Sequence, residues 1–392
     1  MPAPFPKTEY DDRLARTRRK MHQAGLDLLV VSAPDNMNYL SGYDAWSFYV
    51  PQCLLVTAGD QEPVWIGRGM DSISTRLTTY LSDASILSYA DDYVENPAQH
   101  PMEEVARIIE ERGWERGLIG YEGDAYFFSA RWLQVLEKSL PQARFVDAYL
   151  LVNWVRTVKS QVEIEVMRQA ARIVEHTMRI AIDAVEVGRR QCDAAARISF
   201  AQIEGTPAFG GEAPANPPSI LSGINSATPH ASWSDEPFLP DAATCLELSG
   251  CKHRYHSAMS RTVYLGDPPK KMLEVAQATG EGLEAALETV KPGVRCEDVD
   301  TAWKKTISRY GLEKPSRIGY SIGVNYPPNW ADHTASLRSG DETVLEPNMT
   351  FHLMLGMWMD GWGFEMSETF RVTETGSESL TRFPRELFVK SP

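Results

Sequence analysis

The sequence predicts an α+β chain of two domains, a smaller α/β domain over residues 1–155 and a larger mixed domain over residues 156–392. Three observations predict it. At 392 residues, 43% of them hydrophobic, the chain is too long for one ordinary core and rich enough to fill two. Helix-like and strand-like segments alternate through the first 147 residues, the pattern of an α/β domain. Beyond them lies a weak internal repeat, residues 185–193 (VEVGRRQCD) against 290–298 (VKPGVRCED), each following one long helical pattern and preceding another. Two similar half-domains would leave such a repeat, and so would chance similarity of two helix-turn-helix connections.

Residues 9–24 place Leu14, Thr17, Met21 and Ala24 near one helical face, and the apolar run 28–31 follows as a buried strand. Strand-like 53–57 and 64–67, helical 71–80, strand 86–89, helix 102–112, strand 118–121, helix 130–139 and strand 144–146 continue the alternation. A helical AYLLVNWVRTV then carries the domain boundary, without a Pro/Gly-rich linker. Ser160 and Glu163 have the spacing of a capping box, which predicts a long helix to about Ala184. Residues 205–218 (GTPAFGGEAPANPP) are too rich in Gly and Pro for regular structure and predict a pocket-shaping loop, followed by a strand at 219–222. Residues 245–266 (CLELSGCKHRYHSAMSRTVYLG) read as a hairpin broken at Ser249-Gly250, loaded with polar side chains. Helices at 272–289 and 296–310 lead to RIGYSIGVNYPPNW, where Tyr320, Tyr326, Pro327, Pro328 and Trp330 predict an aromatic, non-helical pocket wall. Strands at 350–359 and 364–373 carry His352, Trp358, Glu365 and Glu368.

A formal charge of −14 argues against nucleic acid or an anionic membrane as partner, since either needs a basic face. No run of eighteen apolar residues exists, and MPAPFPKTEYDDRLARTRRK lacks the apolar centre of a signal peptide, so a soluble cytoplasmic protein is expected. Cys53, Cys192, Cys245, Cys251 and Cys296 are odd in number and without CxxC spacing, which reads as reduced thiols.

In order, SGIN followed by PH, the Glu247 strand, SRTVYLG, GYSIG, LEPNM and SETFRVTETG resemble the C-terminal half of the creatinase, aminopeptidase P and prolidase superfamily. The resemblance implies the pita-bread fold, two pseudo-symmetric halves around one site, behind a smaller N-terminal α/β domain. Metal-dependent members hold two divalent ions with two Asp, one His and two Glu. By position these fall on Glu247, Ala258, Tyr320, Met354 and at or beside Ser367. Alanine and methionine offer no hard oxygen donor, and a tyrosine would have to ionise to become a good one. The resemblance therefore implies a site without metal or other cofactor, as in the creatinase branch, where a histidine at the position of His230 works on an amidine-type substrate. Further segments (GYDAWSFYVPQ, WIGRG, HPM, ARFVDA, LVNWVR, IGVNYPP, MTFH, LFVK) are similar to the part of the superfamily that opens a small zwitterionic cyclic amidine. For that part the resemblance implies a cytoplasmic homodimer, with the N-terminal domain near the neighbouring active site.

Such a substrate needs a carboxylate for its N–C–N cation, a base or nucleophile at the central carbon, and an acid for the departing nitrogen. Glu247 is the first choice for the carboxylate, as general base or covalent nucleophile; the bland reading is a strand glutamate facing solvent. His230 is the candidate proton shuttle. Glu365 and Glu368 lie on opposite faces of a regular strand, so one of them reaches the site. Glu365 shares a face with Ser367 and is preferred, while the resemblance also permits Glu368. Tyr255, His256, Tyr320 and His352 are candidate hydrogen-bonding residues, and Arg261, Arg254 and Arg68 candidate cations for a substrate carboxylate. Trp46, Phe48 and Tyr49 would suit an aromatic cage for a small cation. The rival readings are a metal-free hydrolase of another small amidine or guanidine, a metal-dependent Xaa-Pro peptidase, and a non-catalytic binding module of the same fold.

Overall fold

Residues 3–391 are described by a computed structural model and separate into a unit ending at Arg156 and another beginning at Thr157. The first unit runs α1 (Lys7–Ala24), β1 (Leu28–Val31), α2 (Pro34–Ser41), β2 (Cys53–Thr57), β3 (Val64–Arg68), α3 (Ser72–Thr78), β4 (Ile86–Tyr89), α4 (Pro101–Glu111), β5 (Leu118–Tyr121), α5 (Ala130–Ser139), β6 (Arg144–Asp147) and α6 (Leu151–Arg156). Its strands form one mixed sheet in the order β4-β3-β2-β1-β5-β6. The LLVV run of β1 is buried throughout, as an uninterrupted apolar strand inside a covered sheet must be. Helix α2 escapes sequence reading because polar Asn36, Asn38 and Ser41 are buried along with Met37, Tyr39 and Leu40, which leaves no apolar stripe to read. The Glu122 carboxylate holds its start, accepting from the Ser32 and Ala33 N–H groups at 2.6 and 2.7 Å and from the Asn36 amide at 2.6 Å.

The second unit runs α7 (Gln161–Ala184), α8 (Gln191–Glu204), β7 (Ser219–Ser222), β8 (Ala242–Lys252), β9 (Tyr255–Leu265), α9 (Lys270–Thr289), α10 (Cys296–Ser308), β10 (Gly319–Ile322), β11 (Ala331–Leu337), β12 (Thr350–Trp358), β13 (Gly363–Val372), β14 (Ser377–Ser379) and β15 (Phe388–Lys390). The capping box opens α7: Ser160 Oγ accepts from the Glu163 N–H at 3.3 Å, and the Glu163 carboxylate accepts from the Ser160 N–H at 2.8 Å. One sheet has the order β15-β9-β8-β7, the other β11-β10-β12-β13-β14. Each carries a helix pair. Val174, Met178 and Ile198 of α7 and α8 share a core with Leu246, Leu248, Met259 and Val263 of β8 and β9. Leu283 and Trp303 of α9 and α10 share another with Phe351, Leu353 and Phe370 of β12 and β13. The two repeated sequence segments are the connections within these helix pairs, and each turns at a glycine of positive φ, Gly188 at +82° and Gly293 at +87°. Two similar halves follow.

The halves are stitched along β9 and β13 by hydroxyl side chains that satisfy buried backbone groups. Thr369 Oγ1 accepts from the Ala258 N–H and donates to the Ala258 carbonyl, both at 2.8 Å. Ser367 Oγ accepts from the Ser260 N–H at 2.6 Å, and Thr262 Oγ1 accepts from the Glu365 N–H at 2.8 Å.

The hairpin differs from the sequence reading in one respect. Its strands pair without interruption from Ala242 opposite Leu265 to Lys252 opposite Tyr255. The turn is His253-Arg254, both left-handed at φ +47° and +64°, and the Glu212 carboxylate accepts from both of their N–H groups at 2.8 and 3.1 Å. Gly250 belongs instead to a close approach: a Cβ there would collide with the Ala170 carbonyl of α7. Among the described residues no helix is long and apolar enough to cross a membrane.

Candidate active site

Side chains alternate along a strand, and residues directly opposite in a pair share a face. Cys245, Glu247 and Ser249 of β8 therefore stand on the same face as Thr262, Ser260 and Ala258 of β9, their respective partners. On the second sheet Glu365, Ser367 and Thr369 of β13 stand opposite Gly356, Met354 and His352 of β12, and His352 stands opposite Tyr320 of β10. These rows converge on one imidazole. His352 Nε2 lies 2.7 Å from Ser367 Oγ, and its Nδ1 lies 3.0 Å from the Tyr320 hydroxyl and 3.8 Å from Glu247 Oε1. Trp330 completes the wall, its indole N–H donating to the Tyr320 hydroxyl at 2.9 Å.

Burial governs the protonation of this cluster. Glu365 is 1% exposed, and neither of its carboxyl oxygens has a hydrogen-bond partner among the described residues. Desolvation holds its carboxyl well above the usual range, and the neighbouring Glu247 charge adds to the effect. Desolvation pushes Glu247 up to about 7. Two neighbouring carboxyl groups raised unequally in this way have the separation that acid–base chemistry uses. Burial, with Arg317 adding to it, takes His352 down to about 3, so its imidazole is neutral near pH 7. Lys314, which carries no sequence signal, donates to the Gly356 carbonyl at 2.6 Å beside the strand position of Glu365, with its ammonium 3.9 Å from the Trp358 ring centre. Burial lowers it to about 8.

Other candidates are placed elsewhere. Glu368 points to the opposite face of β13, where it pairs with Arg261 at 2.6 Å and Arg385 at 3.2 Å and accepts from the Thr381 hydroxyl. Arg261 spends its remaining donors on the Ser260, Ser367, Phe383 and Pro384 carbonyls, so it binds the frame instead of a substrate. Tyr255 faces α7 and donates to Glu163 at 2.7 Å. His230 is exposed and makes no hydrogen bond or ion pair among the described residues. His256 does share the Ala258 and Ser260 face, with its ring centre 6.5 Å from that of Trp330. Its Nε2 accepts from the Ala215 N–H at 2.9 Å, which ties the Gly/Pro-rich loop to the hairpin. Arg254 stands 4.0 Å from Glu212, and Arg68 pairs with Asp91 at 2.6 Å. In the N-terminal unit Trp46 and Tyr49 are exposed, and Trp46 contacts Phe48 with ring centres 4.8 Å apart.

The residues present do not fit a two-metal centre. The positions expected of an Asp, a His and two Glu hold a methyl group at Ala258, a buried phenol at Tyr320, a thioether at Met354 and a hydroxyl at Ser367. Burial raises the Tyr320 phenol far above neutrality, so it offers no anionic oxygen. Among the described residues no group of three or more His, Cys, Asp and Glu converges as a metal site.

Residues 165–374 match the family model of metallopeptidase family M24, and residues 13–158 match that of the creatinase/prolidase N-terminal domain. The chain is 45% identical to the ectoine hydrolase of Halomonas elongata over 99% of this chain and 98% of that one. It is 25% identical to the creatinase of a Bacillus species over 97% and 92% of the two chains. Among solved structures, the recombinant prolidase of Thermococcus sibiricus gives a TM-score of 0.85 at 19% identity, covering 97% of this chain and 99% of that one, a likeness of fold.

Proposed function

Because the chain belongs to metallopeptidase family M24 with a creatinase/prolidase N-terminal domain, and is a hydrolase of that family, we propose that it opens the cyclic amidine ectoine to N-acetyl-diaminobutyrate without a metal ion. The observation that carries this reading is the pair of buried carboxyl groups, Glu247 and Glu365, raised unequally in a pocket where the family's metal-ligand positions hold Ala258 and Met354.

A peptide carbonyl gains from a Lewis acid, whereas an amidinium carbon is activated by its own positive charge. The Glu247 carboxylate offers that cation its counter-charge. It then either takes the proton of an attacking water or adds to the carbon itself, in which case a water displaces the Glu247 oxygen after the ring nitrogen has left; both routes pass through a tetrahedral centre and consume one water. As the C–N bond breaks, protonated Glu365 gives its proton to the ring nitrogen, which leaves as an amine. Neutral His352, held by Ser367 and Tyr320, keeps the Glu247 side of the pocket in register. The same reading carries a cytoplasmic homodimer, for which the exposed Trp46 and Tyr49 supply aromatic surface; sedimentation as a monomer would remove that part.

Chelator-treated protein mixed separately with ectoine, hydroxyectoine and creatine, followed by proton NMR, tests the substrate. Ring opening of ectoine is expected, and its loss in Glu247→Gln. Turnover of creatine alone moves the assignment to a guanidine substrate, and full activity of Glu247→Gln removes the central role of that residue.

A further inference from the structure

Ectoine is a zwitterion, and its carboxylate needs a cation as much as its amidinium needs Glu247. The three arginines that the sequence offers for this are engaged: Arg261 by Glu368, Arg254 by Glu212 and the face of Tyr326, and Arg68 by Asp91. Arg317 is different. It lies two residues ahead of β10, its guanidinium 4.5 Å from the centre of the Tyr320 ring, and its Nη1 donates to Ser336 Oγ at 3.3 Å. Among the described residues these are its polar and ring contacts, and it forms no ion pair.

The register shows which way this cation looks. Ser336 of β11 is directly opposite Tyr320, which is directly opposite His352, so the three side chains and the guanidinium above them lie on the face that carries the cluster. Along that face the Tyr320 and His352 ring centres are 5.4 Å apart, and His352 Nδ1 is 3.8 Å from Glu247. An acid at one end, two aromatic rings as floor and an acid-free cation at the other end match a small molecule with the opposite order of charges. With Nη1 on Ser336, the Nε–Nη2 edge of the guanidinium has no hydrogen-bond partner among the described residues, and such an edge can grip a carboxylate with two parallel N–H bonds.

We propose that Arg317 binds the carboxylate of the substrate and so selects zwitterionic over purely cationic amidines, an inference that rests on the cyclic-amidine reading of the site. Arg317 is exposed, so its replacement is expected to leave the fold intact.

The test compares the wild-type enzyme, R317Q and R317K on ectoine and on the same methylated ring lacking the carboxylate. Wild type is expected to favour ectoine, and R317Q to lose about ten- to a hundredfold in kcat/KM on it, the range of one hydrogen-bonded charge contact. The loss should appear in KM with kcat retained, R317K should recover part of it, and the carboxylate-free ring should be handled alike by all three. An equal loss on both rings, or an unchanged KM for ectoine in R317Q, overturns the assignment of Arg317 while leaving the hydrolase reading intact. A wild-type enzyme that opens neither ring overturns the amidine reading itself, and this inference with it.

Discussion

Glu365 and Glu368 stand three residues apart on one strand, both almost without exposure, and their surroundings could hardly differ more. Glu368 faces Arg261, Arg385 and the Thr381 hydroxyl, a set that meets a carboxylate's needs inside a protein. Glu365 faces Glu247, and neither of its oxygens has a hydrogen-bond partner among the described residues. A buried charge without a partner is costly, and a buried pair that loses one member costs several kcal/mol. One face of β13 therefore uses its carboxylate to hold the second unit together, and the other keeps a carboxyl in an environment that holds the proton on it. The alternation of a strand is all that separates the two roles.

Glu365→Gln puts the largest strain on this contrast. The amide keeps the shape and donates no proton to a leaving nitrogen, so turnover should fall by about a thousandfold, within the usual range for a lost acid catalyst. The melting temperature should hold or rise, because a desolvated carboxyl is removed from a site kept for chemistry. Calorimetry of the variant beside the turnover assay reads both. A large drop in melting temperature would mean that Glu365 is structural too, and the contrast would collapse.

Glu368→Gln should show the converse. Arg261 and Arg385 lose their counter-charge in a buried place, and about 3–5 kcal/mol of stability should go with it in urea denaturation. Turnover per folded molecule should stay within a few-fold of wild type. A variant as stable as wild type but inactive would return Glu368 to the active site.

Much of this arrangement is legible in the sequence itself. The capping box at Ser160, the paired helices of the repeat and the shared face of Glu365 and Ser367 follow from periodicity and spacing, which are local properties. The turn at His253-Arg254 was hidden because Gly250 looks like a turn residue, yet it is there for the approach of α7, a contact no local pattern records. Tyr255 and Arg261 stand on the helix-facing side of the hairpin, and choosing between two faces that both carry polar residues requires knowing what covers each. Lys314 and Arg317 lie in a loop without periodicity, so only the folded chain brings them beside Glu365 and Tyr320.

The pH dependence offers the smallest effect and the finest test of the same contrast. The proposed mechanism needs Glu247 unprotonated and Glu365 protonated, so on it activity should rise through about pH 7 and fall again at higher pH as Glu365 loses its proton. Stability runs on the same protons. Both carboxyls have folded values raised above the roughly 4.3 of an unfolded glutamate, so between that pH and their folded values the native state binds more protons than the unfolded one. Stability from this pair is therefore greatest in acid and declines as pH rises through about 7. Glu365→Gln removes one of the two protons from the balance, and its stability should fall less steeply than wild type between about pH 5 and 7, by up to roughly 1.4 kcal/mol per pH unit. Urea midpoints across that range measure the difference directly. Parallel curves for the two proteins would mean that Glu365 is ionised in the folded enzyme at these pH values, and the acid step would then need another proton donor.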